Sequence, residues 1–240
     1  MMMTAQQLAE QMPDTRELLS DEPQMETQQH YQQLALLVSH LEWYWRDRAD
    51  FFIGANLTVY YTHEQLRVRR FLGPDFFLVR DVDPRLRTSW VVWEEDGRYP
   101  DLIIELLSDA TANVDRNEKK RLYQTVFRTP EYFWFSPVTA EFAGFRLTSR
   151  WYEAIPVDER GWRWSEVLGL YLGVENGQLR YFESDGTRGL GPEESALQEM
   201  QQTEQERQRA EQAQSQAEQE RQRAERLAQR LRDLGIDPEA

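Results

Sequence analysis

The stretch PDLIIELLSDATANVDRNEKKRLY, residues 100–123, decides the fold. Its apolar centre, residues 102–104, places hydrophobic side chains on both faces of an extended segment, which is typical of a strand buried inside a sheet. The charged segment that follows has apolar side chains at helical spacing, at Leu122, Val126 and Phe127. The sequence therefore predicts a buried strand that is followed by a helix packed against the core.

A carboxylate lies at each end of this strand. Asp101 and Glu105 are four residues apart, so on a strand they point to the same side, with Ile103 between them. A carboxylate at the end of a buried strand is costly unless it is paired or bound to a cation. Two or three convergent carboxylates suit a hard divalent ion such as Mg²⁺, and a nearby lysine can offset charge in a transition state. The pattern indicates metal-assisted phosphodiester hydrolysis, with surface carboxylates or salt bridges as the alternative.

Helix and strand signals continue on both sides of this stretch. The expected elements are a helix at 26–48, strands at 51–62, 75–82 and 130–137, and hairpins at 141–157 and 170–182. The second hairpin contains Asn176-Gly177, a pair that favours a tight two-residue turn. This order predicts an α/β (α+β) fold in which a mixed central sheet is flanked by helices.

The last segment of the chain has a different composition. From residue 192 to residue 232 there is no aromatic residue and no glycine, and QERQRAE occurs at 205–211 and again at 219–225. Alanines at 210, 217 and 224 and a leucine at 231 recur every seven residues, as on the contact face of a coiled coil. We expect a long helix that joins two or more copies of the chain, and a solitary solvated helix is the alternative.

Composition limits the classes of protein to consider. The chain has 240 residues, no cysteine and a net charge of −14. No apolar run approaches the ~20 residues of a membrane span, and the polar, acidic start does not resemble a secretory signal, so we expect a cytoplasmic protein without a membrane partner. The negative charge argues against broad non-specific binding to nucleic acid. Basic runs at 67–70 and 118–121 are candidates for a local basic face, and solvated surface charge is the alternative.

Four pieces of sequence together resemble the signature of the Uma2 family, a largely bacterial group of predicted endonucleases. The pieces are GPDFFLV (73–79), PDLIIELLS (100–108), DRNEKKRLY (115–123) and TPEYFWFSP (129–137). The resemblance covers about residues 25–185 and the C-terminal helix. It implies a restriction-endonuclease-like fold of the PD-(D/E)XK type, and DNA as the binding partner.

The resemblance also implies a set of metal ligands. Asp75 matches the first metal-binding aspartate, with a simple turn residue as the alternative, and Glu105 matches the second acidic ligand. The carbonyl of Leu106 is the further ligand that the resemblance implies. The usual lysine of the motif would fall at Leu107, which cannot perform its role.

The family instead supplies that lysine from the next helix, within the pattern D-x-x-x-K-x-x-x-Y. Asp115, Lys119 and Tyr123 match this pattern and share one helix face, so Lys119 is expected to point back at Glu105, whereas Lys120 is the weaker candidate. A solvated lysine, an ion pair between Asp115 and Lys119, and core packing of Tyr123 are the alternatives. His30 and Asp101 are expected to support the site, and structural roles are the alternative for both.

Two functional hypotheses follow. The first is an endonuclease that depends on Mg²⁺ or Mn²⁺, with Asp75, Glu105 and Lys119 as its catalytic residues, and that leaves a 5′-phosphate and a 3′-hydroxyl, as the resemblance implies. The second is a catalytically silent nuclease fold that serves as an interaction module through its coiled coil. The predicted organisation is a flexible arm (1–25), a nuclease-like domain (26–190), a coiled-coil helix (191–234) and a short tail (235–240).

Overall fold

The structure is a computed structural model that describes residues 18–20, 27–62, 65, 73–108 and 111–233. The predicted arm, the basic run at 67–70 and the C-terminal tail lie wholly or largely outside these residues. The chain divides into two compact units, one ending at Gly191 and the other beginning at Pro192.

Among the residues that the structure describes, the first unit contains two helical segments longer than one residue and eleven strands. The first helix, α1, is Gln28–Tyr44. The second, α2, spans 112–127. The strands are β1 (Phe51–Ala55), β2 (Val59–Tyr60), β3 (Phe76–Arg80), β4 (Trp90–Val91), β5 (Leu102–Leu106), β6 (Glu131–Phe135), β7 (Phe142–Thr148), β8 (Trp151–Ala154), β9 (Arg163–Ser165), β10 (Leu170–Glu175) and β11 (Gln178–Phe182).

A mixed six-stranded sheet organises this unit. Its strand order is β1-β3-β5-β6-β7-β8, and β5 and β6 form its parallel pair. Two parallel neighbours need a crossover connection, and α2 supplies it. β5 is buried along its whole length. The predicted α/β fold, with a mixed central sheet and a long C-terminal helix, is confirmed.

Both faces of the sheet are covered. On one face, Leu102 and Ile104 of β5 pack in a cluster with α1 and with a smaller sheet of order β11-β10-β9. On the other face, Ile103 packs with Tyr123 and Phe127 of α2 and with the β2–β4 region. The alternation of side chains along β5 therefore sends Ile103 and Glu105 towards α2.

Helix α2 is not a regular α-helix. It contains two π-helical turns, Asp115–Lys119 and Tyr123–Phe127. A π turn holds more residues than the 3.6 of an α turn, so residues four apart lie closer to one line along the helix. One expectation was wrong, because Tyr123 and Phe127 form the buried side of this helix and Val126 lies off that side and is exposed.

The remaining local predictions have mixed outcomes. The turn at Asn176-Gly177 is confirmed, because both residues have positive φ and join β10 to β11. The single strand expected at 51–62 is instead two strands, because Asn56 adopts a left-handed conformation between β1 and β2.

The second unit contains one helix, α3 (Pro192–Asp233), of 42 residues. At about 1.5 Å per residue it is roughly 63 Å long. The two sequence repeats carry matching ion pairs, since Arg207 pairs with Glu204 and Glu211, and Arg221 pairs with Glu218 and Glu225. Within the described part of the chain, no helix is long and apolar enough to cross a membrane.

Candidate active site

The antiparallel pairing of β3 with β5 brings two carboxylates to one edge of the sheet. Phe76 pairs with Ile104, so Asp75, just before β3, lies beside Glu105, near the end of β5. The backbone N–H of Asp75 lies 3.3 Å from Glu105 Oε2, to which it donates a hydrogen bond. In return, Asp75 Oδ2 accepts a 2.7 Å hydrogen bond from the backbone N–H of Leu106. These two bonds lock the predicted pair of acidic residues together.

Lys119 reaches the same place from α2. Its Nζ donates to Glu105 Oε2 at 3.1 Å and to the carbonyl of Gly73 at 3.0 Å. It also lies 3.1 Å from Asp115 Oδ1, one helical turn earlier. Asp75, Glu105, Asp115 and Lys119, hereafter the carboxylate–lysine cluster, thus come together as the sequence pattern predicted.

Tyr123 contacts the site more directly than the core packing expected for it as an alternative. Its ring is fully buried, which agrees with core packing. Its hydroxyl, however, donates a 2.7 Å hydrogen bond to Glu105 Oε1. The available signal was its position four residues after Lys119, on the line that the π turns make nearly straight.

The electrostatics of the cluster follow from two buried carboxylates, Glu105 and Asp115, and the half-buried Asp75 around one ammonium group. Burial raises the pKa of Glu105 to about 8, although Lys119 acts in the opposite direction. Burial also raises the pKa of Asp75, and burial together with Glu105 raises the pKa of Asp115 to about 6. Burial would lower the pKa of Lys119, but the surrounding carboxylates outweigh it and raise this pKa above its ordinary value. The cluster therefore favours the charged form of Lys119 and the protonated form of Glu105.

The backbone of Leu106 faces the same edge. Leu107 donates its N–H to Phe135 on β6. Because neighbouring residues of a strand direct their backbone groups to opposite sides, the N–H and carbonyl of Leu106 point towards β3. The hydrogen bond from Leu106 to Asp75 agrees with this direction. The carbonyl predicted as a further ligand is thus oriented towards the two carboxylates.

His30 lies next to this edge rather than in the cluster. It is buried, and its Nε2 is 3.2 Å from the carbonyl of Leu107, while Nδ1 is 2.7 Å from Oγ1 of Thr27, the N-cap of α1. The contact joins α1 to the chain just beyond β5. His30 is placed to hold the strand end in position.

Asp101 is not brought to the cluster. Its carboxylate accepts hydrogen bonds from Arg80, at 2.8 Å from the backbone N–H and 3.2 Å from Nη2. Four residues of strand, roughly 13 Å, separate it from Glu105. Asp101 and Glu105 thus lie at opposite ends of β5, and Asp101 joins that end of the strand to β3.

The side chain of Lys120 points away from the carboxylates that Lys119 contacts. Its Nζ lies 3.3 Å from the ring centre of Phe145 and 5.3 Å from that of Trp134. It thus contacts aromatic side chains on β6 and β7 instead of the carboxylates. This agrees with the expectation from the sequence that Lys119 points at Glu105 and that Lys120 is the weaker candidate.

Comparison with known proteins assigns the chain to a family. The Uma2 family, described as "Putative restriction endonuclease", matches residues 7–180, which include every member of the carboxylate–lysine cluster. The chain belongs to the Uma2 family. Among solved structures, this Uma2 chain is similar to one described as "a putative nuclease belonging to DUF820 from Anabaena variabilis ATCC 29413". The two are 12% identical, the match covers 69% of this chain and 90% of the other, and the TM-score is 0.44. No curated protein matches the chain.

Proposed function

We propose that this Uma2 protein is a divalent-metal-dependent endonuclease that hydrolyses phosphodiester bonds of DNA. The observation that carries the proposal is the meeting of the Asp75 and Glu105 carboxylates with Lys119 Nζ, which lies 3.1 Å from Glu105. Acidic metal ligands beside a fixed lysine are the groups that this chemistry requires. The family description and the position of the cluster at the end of β5 both support it.

The donors at the site suit Mg²⁺ or Mn²⁺. Asp75 and Glu105 would supply carboxylate oxygens and Leu106 would supply its carbonyl, and all three are hard oxygen donors. Within the described residues, no three His, Cys, Asp or Glu side chains are grouped so that they could hold one metal ion together. A cation here would keep several water ligands, which is the usual state of Mg²⁺ in proteins.

The side chains around the cation would have distinct tasks. A bound divalent ion supplies Lewis-acid polarisation of the phosphate and a lower pKa for a water molecule. Lys119 would move from Glu105 towards the substrate and offset the negative charge that develops on the phosphate. Asp115 would keep Lys119 protonated and directed at the site, because the two groups already form an ion pair. The bond from Tyr123 would hold Glu105 in place.

The first test is cleavage of supercoiled plasmid and of single-stranded DNA with Mg²⁺, with Mn²⁺ and with EDTA. Wild-type protein is expected to cut only with metal, and Glu105→Gln is expected to abolish cutting. Asp101→Asn is the matched control, since it changes a carboxylate at the opposite end of β5 that is bound to Arg80 and not to the cluster. Equal loss of cutting in both variants would contradict the proposed site.

A binding role is the second candidate. The net charge of −14 and the exposed 42-residue helix α3 favour an interaction module. This role predicts a well-folded protein that neither cuts DNA nor takes up Mg²⁺ or Mn²⁺ in a calorimetric titration. Metal uptake that Glu105→Gln abolishes would reject it.

We also propose that α3 joins copies of the chain into a homodimer or higher oligomer. The alanine and leucine positions at seven-residue spacing support this, because residues 201–227 are exposed in the single chain. Ala217→Glu is expected to shift the sedimenting species to the monomer, whereas Ser215→Glu, two positions away on another side of the helix, is not. A wild-type protein that sediments as a monomer at every concentration would reject the proposal.

A further inference from the structure

The two carboxylate oxygens of Glu105 are bound in different ways. Oε1 accepts a 2.7 Å hydrogen bond from the hydroxyl of Tyr123. Oε2 accepts from Lys119 Nζ and from the backbone N–H of Asp75, at 3.1 and 3.3 Å. Both oxygens are therefore engaged by α2, Oε1 by the hydroxyl of Tyr123 and Oε2 by the long side chain of Lys119, and Oε2 is the oxygen on the side of Asp75.

Tyr123 is a rigid donor. Its ring is fully buried, and the ring centres of Phe127 and Tyr132 both lie 5.3 Å away. Tyr132 is itself held by a 2.8 Å hydrogen bond from its hydroxyl to the carbonyl of Asp115. Because packing fixes both rings, the hydroxyl of Tyr123 cannot swing away from Glu105 without disturbing the core.

The number of carboxylate oxygens at a metal affects which metal is preferred. Mg²⁺ demands a near-ideal octahedron, and the two oxygens of one carboxylate lie closer together than adjacent corners of that octahedron. Ca²⁺ takes six to eight ligands in a flexible arrangement and accepts both oxygens of a carboxylate. A cation that used Oε1 as well would have to share it with a hydroxyl that core packing fixes, whereas the ammonium group on Oε2 is carried by a flexible side chain that can move aside.

We propose that Tyr123 is a positioning residue that keeps Oε1 of Glu105 away from the metal, so that Glu105 binds through Oε2 alone and the site prefers Mg²⁺ to Ca²⁺. This inference rests on the proposed function, since it assumes that Glu105 is a metal ligand. It adds to that function a residue that determines metal selectivity without touching the metal.

The test is calorimetric titration of the full-length protein with MgCl₂ and with CaCl₂, for wild type, Tyr123→Phe and Tyr132→Phe. Tyr123→Phe keeps the ring and frees Oε1, so Mg²⁺ binding is expected to weaken about tenfold, as when other partners of a metal ligand are removed. Ca²⁺ binding is expected to stay the same or tighten, so the preference for Mg²⁺ falls by about the same factor. Tyr132→Phe is the matched control, because it removes a buried hydroxyl from the same aromatic group without touching Glu105.

Each outcome decides between the claims. A tenfold loss of the preference for Mg²⁺ over Ca²⁺ in Tyr123→Phe, but not in Tyr132→Phe, supports the inference. An unchanged preference in Tyr123→Phe overturns it. An equal change in Tyr132→Phe also overturns it, because that result reports general loosening of the aromatic group. Wild-type protein that binds neither ion contradicts the proposed function itself, which separates the two failures.

A second measurement uses the wild type and covers the case in which Tyr123→Phe does not fold. The infrared spectrum of the Mg²⁺-loaded wild type, minus that of Glu105→Gln, reports the splitting between the two carboxylate stretching bands of Glu105. A splitting typical of a carboxylate bound through one oxygen is expected. A splitting typical of binding through both oxygens overturns the inference.

Discussion

Lys119 Nζ donates a hydrogen bond to Oε2 of Glu105 across 3.1 Å, although the two residues belong to different elements. On the strand itself, the position two residues after Glu105 is Leu107, which is buried in the apolar cluster beneath α2. A lysine there would place its charge in that cluster. The crossover helix α2 instead brings the ammonium group of Lys119 to Glu105 from one face of the sheet. Leu107 can therefore stay in the apolar cluster while a positive charge lies beside Glu105 Oε2.

This arrangement predicts that two adjacent lysines differ sharply in importance. Lys119→Met is expected to lower DNA cleavage by about 10²–10³, the usual effect of removing one preorganised donor from a site. Lys120→Met removes the neighbouring charge, which contacts Phe145 and Trp134, and is expected to change cleavage by less than about threefold. Single-turnover rates measured side by side test this. Comparable losses in both variants would mean that general positive charge, not the contact with Glu105, matters.

Stability of the metal-free protein is expected to fall as pH rises from about 4.5 to about 8. In this range the unfolded Glu105 has lost its proton, while burial keeps the folded Glu105 protonated, because its pKa is raised from 4.5 to about 8. The folded state then binds more protons than the unfolded state, so each pH unit lowers the free energy of unfolding by about 1.4 kcal/mol per such group. Urea unfolding at intervals between pH 5 and 8 measures this slope.

Glu105→Gln is the control for that slope. Between pH 6 and 8 the variant is expected to lose most of the pH dependence, because the group that titrates has been removed. Below about pH 6, Asp115 is expected to maintain part of it, since its pKa is raised to about 6. A variant with the wild-type slope above pH 6 would show that Glu105 is already ionised in the folded protein.

Binding of Mg²⁺ is expected to release a proton at neutral pH. Glu105 must be ionised to serve as a ligand, and its pKa of about 8 means that it is mostly protonated at pH 7. Calorimetric titrations in two buffers of different ionisation enthalpy give the number of protons released, which should approach one at pH 7 and fall towards zero at pH 9. Equal release at both values would contradict the proposed protonation of Glu105.

Glu131 is expected to be a structural carboxylate of high importance. It is buried at the start of β6. Its oxygens accept hydrogen bonds from Arg146 Nε and Nη2 and from the hydroxyl of Ser165. They also accept from the backbone N–H groups of the turn that follows β9. It thus ties the six-stranded sheet to the three-stranded one. Glu131→Gln leaves Arg146 without its buried partner and is expected to lower the free energy of unfolding by about 3 kcal/mol.

The matched control is Glu166→Gln. This exposed glutamate lies 3.6 Å from the same arginine, Arg146, so its loss is expected to cost less than about 1 kcal/mol. Denaturant unfolding of both variants compares the two carboxylates. Similar losses would show that the buried contacts of Glu131 contribute no more than a surface ion pair.

Much of the fold could be predicted because its patterns are local. The buried strand β5, the crossover helix and the Asn176-Gly177 turn each follow from neighbouring residues. The ends of β5 could not be told apart in this way. Periodicity places Asp101 and Glu105 on one face, but only the pairing of β3 with β5 decides which carboxylate meets Asp75 and which meets Arg80.

The contact of Tyr123 with Glu105 was missed for a related reason. An aromatic residue on the apolar side of a helix predicts packing, and Tyr123 does pack against Phe127. Its hydroxyl also bonds Glu105, and the four-residue spacing from Lys119 predicts only a shared helix face, not that the hydroxyl reaches a carboxylate.

The contacts of α2 with Glu105 also constrain the number of residues in this helix. Lys119 and Tyr123 both reach Glu105 because four residues separate them in a widened helix. Deleting one residue between them would leave Tyr123 three residues after Lys119, about 60° away from it round an ordinary α-helix and about 1.5 Å closer along the axis. Point substitutions along the outer side of this helix should therefore be tolerated where a single-codon deletion is not.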